Sequence, residues 1–323
     1  MANRREFVGS VAGCVMAGPF AIAQPSSRLP RIGILANYDG PPWDGFRRGM
    51  RELGYVEGRT IGTDWRFADG NTDRYPTLAS ALAQAKVDLI VTSGTPAALA
   101  AKQATGSIPI VMAISAYPER LGLADSLAHP GGNVTGLSHA APEVTGKRLQ
   151  LLKQLVPKTV RVVVLGNAAS PIEVLAIRET RAAAAALGFE LQTIDARTPD
   201  DHAAAFAAVT ASHADAMHVV GNPANFKNRQ AIADFALHSR LPSSYEEREF
   251  ALVGGLMSYA ASYPDLYFRA AGYVDKILKG ARPGELPIQH PTKFELVINQ
   301  KSAAALGLTI AAPLLLQADE VIS

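Results

Sequence analysis

The chain has 323 residues, 48% of them hydrophobic and 19% charged, which places it among globular proteins of about two domains and excludes a disordered chain. A formal net charge of +2 without any long Lys/Arg run excludes the basic footprint of a nucleic-acid binder, so no nucleic-acid partner is expected. There is one cysteine, Cys14.

Residues 1–23 read as an export signal. Arg4-Arg5-Glu6-Phe7 precedes an apolar stretch that ends in Ala21-Ile22-Ala23, a small-x-small cleavage pattern, and the paired arginines resemble a twin-arginine signal. Gly9, Ser10, Gly13, Gly18 and Pro19 make the stretch a poor spanning helix. Val11-Ala12-Gly13-Cys14 offers an alternative, a lipoprotein box that would lipidate Cys14. Cleavage near Ala23 would remove the cysteine and leave a periplasmic protein without disulfides or Cys-ligated metals. Residues 24–30 form a Pro/Ser tether.

From residue 31 on, short aliphatic runs alternate with Ala/Leu-rich segments of helical period, the pattern of βαβ units and a parallel sheet. Strands are predicted near 31–36, 61–67, 88–92, 109–113 and 133–137, with helices near 43–54, 73–85, 96–104 and 119–128. The second half predicts strands near 160–165, 189–194, 216–220, 242–245 and 254–258. Its helices fall near 143–155, 171–187, 199–211, 225–239 and 263–279.

The two halves repeat. Ile32-Gly33-Ile34-Leu35 is echoed by Val162-Val163-Val164-Leu165, and Leu53-Gly54-Tyr55 by Leu187-Gly188-Phe189. Asp88-Leu89-Ile90-Val91 with Gly94-Thr95-Pro96 returns as Asp215-Ala216-Met217-His218 with Gly221-Asn222-Pro223, and Ile108-Pro109-Ile110 as Leu241-Pro242-Ser243. Four landmarks in one order, about 130 residues apart, predict two Rossmann-like lobes in tandem. The first would span 31–138 with part of 246–285, and the second 139–258 with part of 286–323. Between hinged lobes lies a cleft suited to a small molecule.

Ligands of open parallel sheets bind where strands end and helix N-termini begin. Val91-Thr92-Ser93-Gly94-Thr95-Pro96 ends a strand, turns at Gly94 and starts a helix, with Thr95 as its predicted cap and Pro96 at its first position. Ser93, Gly94 and Thr95 suit a carboxylate. Asn222 is the matching cap in the second half. Asn37 and Trp43 flank a stiff Pro-Pro turn after the first strand, Asn167 stands in the equivalent loop, and Ser115 follows the fourth strand. Tyr245 and Tyr259 follow the last strands of the second half and offer a ring face with a hydroxyl. Asp39 and Glu246 could meet a ligand ammonium, although isolated loop acids are usually solvated. Arg148, Arg178, Glu179 and Arg181 read as surface charges on helices.

Enzymatic motifs are missing. There is no Gly-x-Ser-x-Gly elbow and no phosphate-binding Gly-x-x-x-x-Gly-Lys-Ser/Thr loop, the glycines at 131–136 precede their strand, and the histidines are scattered. No metal, cofactor or catalytic residue is therefore expected.

Several segments carry a family resemblance: Phe46 to Gly58, Ser93 to Thr105, Leu127 to Ser138, Gly254 to Tyr259, Pro291 to Asn299, Leu306 to Ile310 and Ala318 to Ile322. The chain resembles solute-binding proteins of ABC importers of the tryptophan/tyrosine type. That resemblance implies the type I periplasmic-binding fold with three crossovers, a monomer that engages an inner-membrane ABC permease transiently, and the loops at Ser93 to Pro96 and Tyr259 as ligand contacts. Two departures stand near the expected cleft. Tyr117-Pro118-Glu119-Arg120 replaces a usual Asp-Pro-Val, and Ala260-Ala261-Ser262 replaces a common Gly-Pro-Asn. A sensor module on the same fold and an exported α/β enzyme are the alternatives.

Overall fold

The computed structural model describes residues 28–139 and 142–323; the signal segment and Cys14 lie outside them. The first lobe runs β1 (Arg31–Ala36), α1 (Pro41–Glu52), β2 (Gly62–Phe67), α2 (Tyr75–Gln84), β3 (Leu89–Ser93), α3 (Thr95–Ala104), β4 (Ile110–Ser115) and β5 (Val134–Ser138). The second runs α4 (Pro142–Leu155), β6 (Arg161–Gly166), α5 (Pro171–Ala186), β7 (Glu190–Asp195), α6 (His202–Ala211), β8 (Ala216–Val219), α7 (Pro223–Lys227), α8 (Arg229–His238), β9 (Ser243–Tyr245), α9 (Arg248–Leu252) and β10 (Met257–Ala261). The remainder forms α10 (Tyr263–Leu278), β11 (Phe294–Asn299), α11 (Gln300–Ala305), α12 (Ala312–Leu315) and β12 (Glu320–Ile322).

The doubling in the sequence is a doubling of topology. The first sheet has the order β2-β1-β3-β4-β5, all parallel, and the second contains β7-β6-β8-β9-β10 in the same order. One repeated landmark has a direct structural cause. The Asp88 carboxylate accepts the N–H of Arg31 at 2.6 Å and Asp215 accepts that of Arg161 at 2.8 Å, so each aspartate fastens the start of its lobe's first strand. The second sheet is extended by β11, antiparallel to β10, and by β12, parallel to β11.

In β1 the side chains alternate between two cores, as a strand covered on both faces requires. Ile32, Ile34 and Ala36 join the cluster shared with α1 and α10, while Leu35 joins the one under α2 and α3. α10 follows a strand of the second sheet yet packs in the first lobe, with Leu266, Tyr267, Ala270 and Val274 buried beside Ile34. Glycines permit this close approach: a Cβ on Gly45 would stand 2.3 Å from the Pro264 carbonyl oxygen, and one on Gly49 2.7 Å from that of Phe268. The chain passes between sheets after β5, between β10 and α10, and between Gln289, which bridges to Leu137, and β11.

The predicted helix at 119–128 does not form. Tyr117 and Gly122 adopt positive φ (49° and 68°), and the segment folds as turns. Side chains satisfy its backbone: Glu119 Oε1, within the segment, accepts the Leu127 N–H at 2.8 Å, and Lys102 Nζ of α3 donates to the Gly122 carbonyl at 2.6 Å. The predicted helix at 225–239 is two helices, α7 and α8, with Asn228 between them.

Candidate functional site

The carboxyl ends of both sheets face one cavity of ≈ 400 Å³ between the lobes. Its first-lobe wall is built from the loops after β1, β2, β3 and β4, and its second-lobe wall from the starts of α4, α5 and α7 and from the segment after β9. Contacts across the cleft close it. Tyr38 stacks on Phe226 of α7 with centroids 4.7 Å apart, and the Tyr117 hydroxyl donates to Glu179 Oε2 of α5 at 2.7 Å. Arg120 pairs with the same carboxylate at 3.4 Å.

On the first-lobe wall, Ser93, Gly94 and Thr95 line the cavity. The helix cap is Gly94 (φ 91°), with Thr95 as the first helical residue. No side chain caps α3, which leaves its N-terminal amides directed at the cavity. The Thr95 hydroxyl is buried and accepts the Ala116 N–H at 2.7 Å, so it braces β4 and does not cap. Ser115 is fully buried and off the wall; its hydroxyl donates to Thr95 Oγ1 at 3.2 Å. Asn37 lines the cavity and ties two loops, its Oδ1 accepting the Gly70 N–H at 2.7 Å. Trp43 lines it too, edge-on to Phe46, Trp65 and Tyr267.

On the second-lobe wall, Asn167 and Asn222 are present. Asn222 caps α7 as predicted, accepting the Asn225 N–H at 2.7 Å, and its amide donates to Glu173 Oε2 at 2.8 Å. Tyr245 is not on the wall: strand alternation turns it into the second-lobe core, stacked on Phe250 at 4.6 Å, and gives the cavity to Glu246 instead. Tyr259 is turned away as well and packs beside Phe294 at 6.0 Å, leaving only its carbonyl near the site. The tyrosines that line the cavity are Tyr38, Tyr75, Tyr117, Tyr263 and Tyr267. The last two arrive on α10, whose return to the first lobe local periodicity does not reveal.

The charges differ from expectation most. Arg148 is no surface residue: it is 4% exposed, lines the cavity, and donates from Nε to the Tyr259 carbonyl at 2.9 Å and from Nη1 to Glu246 Oε1 at 3.0 Å. A signal existed, since Thr145, Arg148, Leu149 and Leu152 form a single stripe at helical spacing and all are buried. Glu179 is likewise engaged, by Tyr117 and Arg120. Asp39 is exposed and pairs with Arg47 at 2.7 Å.

Burial would raise the Glu246 carboxyl, but Arg148, His218 and the Gly221 N–H outweigh it and hold it at about 2. Glu173 shows the opposite balance: burial exceeds its hydrogen bonds from the Asn167 N–H and Asn222, and lifts it to about 7. Burial also pushes His139 and His218 down, so both are neutral at pH 7. Among the described residues, no group of three or more His, Cys, Asp or Glu is arranged to hold a metal ion.

Two parallel-dominated lobes of one strand order, closed over a cavity at their strand ends, define a binding protein of the type I periplasmic fold. The chain belongs to the ABC transporter substrate binding protein family, whose model matches residues 40–322. It is 26% identical over 287 residues to a tyrosine-binding protein of Clostridioides difficile, covering 88% of this chain and 82% of that one. The crystal structure of an ABC domain from Streptococcus pneumoniae in complex with L-Trp superposes with a TM-score of 0.86 at 27% identity, covering 91% of this chain and all of the other. A leucine-binding protein from Thermotoga maritima shares the fold at 15% identity, with a TM-score of 0.59 over 79% of this chain and 84% of its own.

Proposed function

We propose that this chain is an exported, non-catalytic receptor that captures a small carboxylate-bearing solute, an amino acid or aromatic acid, between its lobes and delivers it to an inner-membrane ABC permease. The observation that carries the reading is the cavity itself, enclosed by both lobes and faced by an uncapped helix N-terminus beside aromatic rings. The ligand's carboxylate sits against the α3 amides with the Ser93 hydroxyl, where backbone N–H groups and the helix dipole favour an anion. Trp43, Tyr75 and Tyr267 supply the ring surface that an aromatic side chain packs on. The relatives' names, which speak of tyrosine and L-Trp, favour the aromatic end of this class.

The moving bodies are residues 31–138 with α10, and the second lobe with the C-terminal strands. Export uses the signal ending near Ala23, and the receptor works in the periplasm as a monomer.

Calorimetry against a panel of amino acids and aromatic acids tests the reading. At least one aromatic member is expected to bind in the micromolar range or better, and Ser93→Ala to weaken it by about ten-fold, the worth of one hydrogen bond to a charged group. Chemical conversion of the bound compound, or no binding by any member, would overturn it.

A further inference from the structure

Arg148 is fixed from two sides and still has donors left over. Its Nε donates to the Tyr259 carbonyl on β10 at 2.9 Å, and its Nη1 to Glu246 Oε1 at 3.0 Å. Glu246 is anchored in turn. Its Oε2 accepts the Gly221 N–H at 2.9 Å, and the buried His218 ring of β8, itself 3.0 Å from Ser244 Oγ of β9, stands 3.8 Å from Oε1. Groups on or just after β8, β9 and β10 therefore set both the plane and the direction of the guanidinium, which is pre-organised before any ligand arrives.

A guanidinium carries five N–H donors, and these two bonds use two of them. The other three, one on Nη1 and both on Nη2, have no acceptor among the described residues, on a side chain that is buried yet lines the cavity. A ligand that fills the cavity displaces water from these donors, so it must bring an acceptor of its own or lose about ten-fold in affinity.

The neighbours of Arg148 decide what charge that acceptor has. A further carboxylate would share the guanidinium with Glu246, on a wall that also carries Glu173, Glu247 and Glu249. Among the described residues the other cation of this wall is Arg197, whose side chain is 62% exposed and bound to Asp195 at 2.7 Å, where water screens it. A neutral oxygen satisfies the donors without adding an anion to this wall. We propose that the free end of Arg148 receives a neutral oxygen of the ligand, a carbonyl or ether oxygen carried on the ring away from the carboxylate held at α3, and so selects ring-oxygenated ligands over plain ones. This rests on the reading of the cavity as the solute site and narrows its ligand class.

The test is calorimetry on the full chain at pH 7 with L-phenylalanine and its 3- and 4-isopropyl, acetyl and carboxy derivatives. These three substituents are similar in size and are, in turn, apolar, a neutral acceptor and an anion. At one ring position or both, the acetyl compound is expected to bind at least about ten-fold tighter than its isopropyl and carboxy counterparts. In the double variant Arg148→Met with Glu246→Leu, which removes the guanidinium together with its counter-charge, the acetyl-to-isopropyl ratio should fall to about one. An acetyl compound no tighter than its isopropyl analogue at either position, a carboxy compound that binds tightest, or an acetyl preference that survives in the double variant would overturn the proposal. Binding of L-phenylalanine alongside any of these results would leave the receptor reading standing. Silence from the whole series would remove that reading and the proposal with it. Should the double variant fail to fold, Arg148→Lys, which keeps the charge and loses the planar fork, is read for the same ratio.

Discussion

The two walls of the cavity share a strand order but not a chemistry. Among the described residues the first-lobe wall offers hydroxyls, amides and rings, from Asn37 and Ser93 to Tyr117, with no charged side chain. The second-lobe wall carries Arg148, Glu173, Arg197, Glu246, Glu247 and Glu249. Duplication fixed where the loops go; the loop residues then diverged, one wall packing and hydrogen-bonding independently of pH, the other orienting charge and responding to it. This contrast makes substitutions on the two walls behave differently.

The sharpest break comes at Arg148. Arg148→Met leaves Glu246 buried without its counter-charge and is expected to cost about 3–5 kcal/mol in urea unfolding at pH 7. In the wild type the low folded value of Glu246, about 2, contributes stability that is fully present above its ordinary carboxylate value and is lost as pH falls from there through about 2. In Arg148→Met burial is opposed by fewer groups, so the carboxyl should rise from that low value and the loss of stability on acidification should shrink. A double variant, Arg148→Met with Glu246→Leu, should recover most of the loss; a single variant as stable as wild type would show that the pair is dispensable.

Glu173 should respond in the other direction. Its folded value of about 7 lies above its unfolded one, so the folded state holds a proton that the unfolded chain has released, and stability declines as pH climbs through that window. Both its hydrogen bonds go to Oε2, which an amide oxygen can replace. Glu173→Gln is expected to match wild type near pH 4.5 and to be about 2–3 kcal/mol more stable at pH 8. Equal thermal shifts at both pH values would contradict the raised carboxyl.

On the neutral wall the expected effect is smaller and flat with pH. Thr95→Val removes the acceptor of the buried Ala116 N–H and should cost about 1–2 kcal/mol, the same at pH 5 and pH 8. A pH-dependent loss would blur the distinction between the walls.

Local pattern in the sequence carried the lobes and half of the site. Strand runs and the Ser93-Gly94-Thr95 and Asn222 loops are set by residues close in sequence, and such signals survive without knowledge of packing; the aspartates, whose partners lie far away in sequence, were legible because they repeat. Tyr263 and Tyr267 were not legible because their position depends on α10 returning to the first lobe through contacts at Gly45 and Gly49, over 200 residues away. Tyr245 and Glu246 were exchanged because strand parity at the end of a three-residue strand decides which neighbour faces the cleft. Arg148 was readable in principle, a single cation on a buried helical stripe.

The mildest expected effect on stability belongs to the bond that joins the walls. The Tyr117 hydroxyl reaches from the turn after β4 to Glu179 on α5 at 2.7 Å, so a parting of the lobes would break it. Tyr117→Phe keeps the ring that Arg120 covers at 5.7 Å and loses only the hydroxyl. On the proposed reading, in which the lobes part when no ligand is bound, unliganded stability should change by less than about 0.5 kcal/mol. The closed complex, by contrast, loses a hydrogen bond to a charged acceptor, about 1.5 kcal/mol, so stopped-flow should show ligand leaving about ten-fold faster with an unchanged association rate. A slower association with unaltered release would mean that Tyr117 acts in the open receptor, before the walls meet.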